Sequence, residues 1–280
     1  MILAPLLAAL AAQSPFTVTN ATYDGPVQRP ANARLVWREE FNGTRLDLAK
    51  WRYDTAFNKK GWFNKEKQYY SAGENLRVAN GRMVIEARHE TPSAASDWGG
   101  QHYTSAKIVS NGAGWAYGFY EVRAKLPCAR GTWSAIWMLP THMQKWPDDG
   151  EIDIMEQVGA EPNLIYSTLH TKLFNHVQRT QRSAQRLVPT SCSAFHRYQL
   201  DWRPDVIIIG VDGRGILRVR NDHPGGKGAW PFDTPFHMIL NVAIGGDWAA
   251  AKGIDDAAMP QRMEVDYVRV WQLPHGGGSR

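Results

Sequence analysis

Apolar residues along this chain recur with the spacing of strands. Short runs rich in β-branched and aromatic residues alternate with polar positions and are separated by Gly, Pro, Asn and Asp. The pattern predicts strands over 82–88, 105–110, 118–126, 134–139, 152–157, 164–170, 196–202, 206–211, 236–243 and 265–272. Helix-length periodicity is scarce, so strands interleaved with helices, and with them a parallel α/β sheet, are excluded. Many short strands joined by turn residues predict an all-β protein, a sandwich or barrel. There is no internal repeat and no Ser- or Pro-rich linker. The chain therefore reads as one domain over residues 30–273, with a lead-in over 13–29 and a frayed Gly-rich tail over 274–280.

Composition adds size and chemistry. With 280 residues and 43% hydrophobic residues, the chain has the material for a large core. Its 12 Trp either fill a thick core or, for some of them, form flat aromatic platforms for a ligand. The formal charge of +5 is dispersed, apart from Lys59-Lys60 and the run Arg179, Arg182, Arg186. A nucleic-acid-binding protein would concentrate it in a stripe with a recognisable module, so no nucleic-acid partner is expected. Residues 1–12, MILAPLLAALAA, are too short to span a bilayer and read as the apolar region of a signal peptide, although no Lys or Arg precedes it. The expectation is a secreted or periplasmic protein with no membrane partner. Cys128 and Cys192 are 64 positions apart, too far for a short metal motif; they form either a disulfide or two buried thiols.

The chemistry concentrates in Trp146-Pro-Asp-Asp-Gly-Glu-Ile-Asp-Ile-Met-Glu156. On a strand, Glu151 and Asp153 share one face, and Ile152 and Ile154 share the other. Strict alternation puts Glu156 on the wrong face, and a β-bulge around Met155 brings it back. Three crowded acids repel one another, which raises the pKa of at least one and suits a general acid. Glycoside hydrolysis uses such a set, with one carboxylate at the anomeric carbon and one acid at the leaving oxygen. Acids at alternate positions could also hold Ca²⁺, so spacing alone leaves both readings open.

The hexapeptide E-I-D-I-M-E resembles the E-x-D-x-x-E signature of glycoside hydrolase family 16, in its laminarinase-like branch. The resemblance continues through Phe41-Asn-Gly, Asn64-x-Glu66-x-Gln68-Tyr69-Tyr70, Tyr117-Gly118-x-Tyr120-Glu121 and Gly131-x-Trp133-x-x-x-Trp137-Met138-Leu139-Pro140. It then runs to Asn241-x-Ala243-x-Gly245-Gly246-x-Trp248 and Asp266-Tyr267-Val268-Arg269-Val270, in family order over nearly the whole domain. It implies a jelly roll of two antiparallel sheets with an open concave cleft, and a retaining endo-β-1,3-glucanase, possibly also acting on mixed-linkage glucan, that needs no catalytic cofactor. By the same resemblance Glu151 is the nucleophile, Glu156 the acid/base, and Asp153 tunes the pair. Trp133 and Trp137 match the sugar-stacking pair, Trp146 and Trp248 the tryptophans flanking the cleft, and Asn64, Glu66 and Asn241 further substrate contacts. His170 matches a histidine on the leaving-group side. A structural Ca²⁺ is implied on the convex side, held by Asp266 and backbone oxygens near Glu40 and Gly81. The expected partner is a β-glucan polysaccharide, bound by a monomer. The basic segment 172–189 fits no motif. It keeps open a hydrolase for a sulfated galactan, and transglycosylation on the same fold is a further alternative; a catalytically dead recognition protein would have lost the carboxylates.

Overall fold

The computed structural model describes residues 20–274. Strands β1 Arg34–Glu39, β2 Trp51–Tyr53, β3 Gln68–Tyr70, β4 Leu76–Ala79, β5 Arg82–Ala87, β6 Tyr103–Ser105, β7 Lys107–Ser110, β8 Gly118–Lys125 and β9 Thr132–Pro140 make the first half. The second half holds β10 Glu151–Val158, β11 Leu164–His170, β12 Arg182–Leu187, β13 His196–Trp202, β14 Val206–Val211, β15 Arg214–Arg220, β16 Phe236–Ile244 and β17 Gln261–Gln272. One antiparallel sheet has the order β15-β14-β13-β8-β17-β5-β4, with β1 also on β17. The other has the order β12-β11-β10-β9-β16-β7-β2, and a small parallel pair, β3 and β6, flanks them. This is the expected all-β jelly-roll sandwich.

The core lies between the two large sheets. Ile85, Val122, Leu200, Ile209, Val265 and Val268 from one pack in a single cluster with Ile108, Ile136, Met138, Ile152, Leu240 and Val242 from the other. Alternation explains why: each of these positions is flanked along its strand by residues turned away from the core. The remaining face of the second sheet carries Glu151, Trp133 and Trp137, each only partly covered, and this face is the cleft.

Cys128 and Cys192 form a disulfide, closing a loop of 64 positions. By loop-closure entropy such a cross-link contributes about 4 kcal/mol. The lead-in is not loose where it is described: Thr22 and Pro26 bridge to Leu217 and Arg214 on the edge strand β15. The expected signal segment 1–12 and the tail beyond residue 274 lie outside the described residues. Among the described residues, no helix is long and apolar enough to cross a membrane.

Candidate active site

Strand β10 enters the cleft from a tight turn. Asp149 accepts hydrogen bonds from the backbone N–H groups of Gln144 and Lys145, at 2.6 and 2.8 Å, and locks the turn. Gly150 follows with φ +92°, where a Cβ would meet the Pro231 and Phe232 side chains at 2.8 and 3.0 Å; only glycine fits. Along β10, Asp153 faces Trp137 of β9, and Met155 faces Ile136. Two steps on β10 thus match one on β9, and against β11 the same interval shifts again. This is the expected bulge, located between Asp153 and Met155. Ile154 and Met155, consecutive in sequence, are both buried in the core. Glu156 thereby lands opposite Ala135, which stands between Trp133 and Trp137 on the cleft face. Glu151, Asp153 and Glu156 share that face.

Each acid has its own partner. The Trp146 indole Nε1 donates to Glu151 Oε2 at 2.5 Å, and Trp133 Nε1 donates to Glu156 Oε1 at 3.1 Å. Asp153, only 2% exposed, hydrogen-bonds Glu151 and stands 3.4 Å from His170 Nε2. Burial pushes the Glu151 carboxyl up to about 8, and the neighbouring Asp153 charge pushes in the same direction. Burial likewise takes Asp153 to about 7. Glu156 is raised well above the ordinary carboxylate value, by burial and then by the charges of Asp153 and Glu151. Burial lowers His170, which favours its neutral form. All three carboxyls are thus shifted toward their protonated forms, and they titrate as a coupled set. The ligand atoms of Glu151, Asp153 and His170 lie within 4.8 Å of one another, close enough for a cation.

The aromatic floor is held rigid. Trp137 Nε1 donates to Asn241 Oδ1 at 2.8 Å, and the Asn241 amide donates to the Tyr70 hydroxyl at 2.9 Å. Lys107, 8% exposed, pairs with Asp54 at 2.9 Å and lies over the Trp62 and Trp137 rings, 4.7 and 5.0 Å from their centres. Trp248 is 7% exposed and meets Trp133 edge-on at 5.3 Å, so it backs the platform from behind. On the far side of β16, Asn64 takes a left-handed conformation, φ +54°. Gln68 donates to Glu66 at 2.8 Å and accepts the Ile244 N–H at 2.7 Å, tying the Asn64–Glu66 loop to the end of β16.

Sequence reasoning missed Lys107 and His176. Lys107 was legible as the single charge in its strand. His176 stands in the basic segment, where the His170 and Trp146 rings lie 5.1 and 5.0 Å away. The basic residues of that segment are largely committed elsewhere: Lys172 pairs with Asp148 at 3.6 Å, Arg182 lies over the Phe174 ring at 4.0 Å, and Arg186 binds Asp24.

Glu40, Gly81 and Asp266 lie on the other sheet, away from the cleft. Val265 faces Met83 of β5 and Val268 faces Glu39 of β1, so the ends of those two strands abut beside Asp266. Arg123 binds Asp266 Oδ2 at 2.5 Å, and Arg269 chelates Glu40 with two bonds of 2.8 Å. The donors left for a cation are the second Asp266 oxygen and backbone carbonyls, hard oxygens of the kind Ca²⁺ takes.

The sequence profile of the glycosyl hydrolases family 16 matches residues 63–269. Over 250 residues the chain is 46% identical to a β-glucanase of Rhodothermus marinus, covering 85% of each protein. The fold matches the crystal structure of SCLam, a non-specific endo-β-1,3(4)-glucanase from family GH16, with a TM-score of 0.88 and 50% identity over 91% of this chain and 97% of that one. A glutamate-to-serine mutant of SCLam, with 1,3-β-D-cellobiosyl-glucose at its active site, matches with a TM-score of 0.88 and 50% identity, covering 90% of this chain and 99% of that chain. A chain that carries three acids on one bulged strand and aligns with family 16 along most of its length belongs to that family and is a glycoside hydrolase.

Proposed function

We propose that the chain is a retaining endo-glucanase for β-1,3-linked glucan that also accepts mixed β-1,3/1,4 chains. The observation that carries this reading is the one-residue bulge in β10, which sets Glu151 and Glu156 on the same face beside Trp133 and Trp137. The similarity to SCLam, a non-specific endo-β-1,3(4)-glucanase, supports the substrate class.

In this reading Glu156 begins protonated, as burial and its neighbours' charges favour, and delivers that proton to the leaving oxygen. Glu151 attacks the anomeric carbon. The Trp146 N–H stabilises charge on Glu151 before attack and receives the departing carboxylate afterwards. Once Glu151 is esterified it is neutral, one of the charges that favoured the proton on Glu156 is gone, and Glu156 serves as base for the incoming water. Trp137 and Trp133 offer flat apolar faces to the axial C–H bonds of glucose, and Asn64, Glu66 and Asn241 lie toward the sugars upstream of the cut. Trp248 supports Trp133. His170 braces Asp153 on the leaving-group side. No cofactor enters the chemistry.

The enzyme is further proposed to act as a secreted or periplasmic monomer, stabilised by a Ca²⁺ at Asp266 with carbonyls near Glu40 and Gly81. The partners of Lys172, Arg182 and Arg186 argue against these residues serving as sulfate ligands, so a sulfated galactan is the weaker substrate. Reducing-sugar release tests the proposal. Laminarin should be cut fastest, lichenan more slowly and cellulose not at all; efficient cutting of carrageenan with none of laminarin would overturn it.

A further inference from the structure

The loop after β11 is the part of the cleft wall that no sequence motif explains, and its construction gives it a use. Asn175, buried at its centre, holds the loop together. Its amide donates to the carbonyls of Thr171 and Lys172, at 3.2 Å each, and its Oδ1 accepts the Gln178 N–H at 3.1 Å. Thr180 closes the loop, its hydroxyl accepting the Asn175 N–H at 3.2 Å and donating to the Leu173 carbonyl at 3.0 Å. Outside contacts fix the frame in place. Leu173 N–H bonds the Gly228 carbonyl at 3.0 Å, and Lys172 reaches Asp148 on the β9–β10 turn. This turn also carries Trp146.

The frame projects one ring into the site. His176 packs against the Trp146 indole with ring centres 5.0 Å apart and planes at 39°, and meets His170 edge-on at 5.1 Å. Trp146 is otherwise on a turn, and its N–H makes the 2.5 Å bond to Glu151. An indole on a turn holds such a bond only if its ring plane is fixed, and two rings pack against it: His176 at 5.0 Å and, more distantly, His170 at 5.9 Å.

We infer that His176 is a positioning residue: it fixes the Trp146 ring so that the indole N–H stays on the Glu151 carboxylate, and the loop 171–180 exists to hold it there. The inference rests on the reading of Glu151 as nucleophile. It assigns a structural cause to the loop and treats its basic residues as scaffold.

The test is a double-mutant cycle on laminarin with four proteins: His176→Ala, His176→Phe, Trp146→Phe and the double variant His176→Ala/Trp146→Phe. Trp146→Phe keeps a ring and removes the N–H. His176→Ala should lower kcat about tenfold while KM changes less than twofold and the thermal midpoint holds, because displacement of a catalytic contact acts on the chemical step. His176→Phe, which keeps a ring, should recover most of that loss. If the effect of His176 on the rate runs through the indole N–H and not through His170, the double variant is no slower than Trp146→Phe alone. Multiplying losses in the double variant, or a Phe variant as slow as Ala, would overturn the inference. Glu151→Ala with azide separates it from the reading beneath: absence of an α-glycosyl azide product would sink the nucleophile assignment, whereas multiplying losses alongside a normal azide product would sink only the role of His176.

Discussion

Replacing Glu151 should stabilise this protein, and only above a certain pH. In the unfolded chain Glu151 ionises at the ordinary value of 4.5, whereas in the fold burial and the Asp153 charge hold the proton until about pH 8. The folded-state value is the raised one, so the native state binds the extra proton. The stability this confers is complete below pH 4.5, declines as pH rises through the interval, and is fully lost above pH 8. At about 1.4 kcal/mol per pKa unit, the interval corresponds to about 5 kcal/mol for an isolated group. Glu151 shares its proton with Asp153, so removing Glu151 alone should recover about 2–3 kcal/mol. Glu151→Gln is the suitable change. The amide oxygen accepts the Trp146 N–H as the carboxylate does, and the amide NH₂ donates to Asp153. Thermal unfolding of the parent and the variant, from pH 4 to pH 9, is the assay. The variant should match the parent near pH 4 and melt roughly 5–10 °C higher at pH 8–9. A variant that melts no higher at pH 8, or one with the same gain at pH 4, would refute the electrostatic reasoning.

Glu156→Gln keeps an acceptor for the Trp133 N–H and loses the proton. Cleavage of laminarin should fall about 10²–10⁴-fold, while formation of the glycosyl intermediate from a dinitrophenyl β-glucoside of laminaribiose should persist; full activity on the polymer would remove Glu156 from its role. Chelation should lower the melting temperature of the parent protein, and added Ca²⁺ should restore it without altering kcat; a melting temperature indifferent to both would remove the metal from the convex sheet.

The sandwich was legible because some central strands alternate apolar and polar residues, as in β8 and β13, while others, such as β9 and β16, are apolar runs of strand length. The strands that escaped notice lie mostly at the edges. RSAQRL in β12 falls within the basic segment 172–189, and RGILRVR in β15 carries three arginines among its apolar residues, so neither reads as a strand although both pair in the sheets. The bulge was legible for a different reason: three acids with an odd spacing can share a face only if one extra residue is accommodated, and the structure places the slip beside Met155. The anchoring of the tryptophans was not legible. Which indole finds Glu151 and which finds Glu156 depends on turns and on strands far apart in sequence, and the packing of Trp248 behind Trp133 follows from a helix turn, Gly246–Ala249, that no periodicity announces. The pairing of Cys128 with Cys192 likewise depends on β8 and β13 lying side by side.

The central claim is that two glutamates on one face of β10 act in succession on the same anomeric carbon. Retaining enzymes hold their carboxyl groups about 5–5.5 Å apart, too close to admit water between nucleophile and sugar, so the sugar passes through a covalent intermediate and two inversions. Proton NMR of a fresh laminarin digest reads the outcome. The β-anomer should appear first, with the α-anomer growing in by mutarotation; an α-anomer at the earliest times would mean a single inversion and would contradict the assignment of Glu151 as nucleophile.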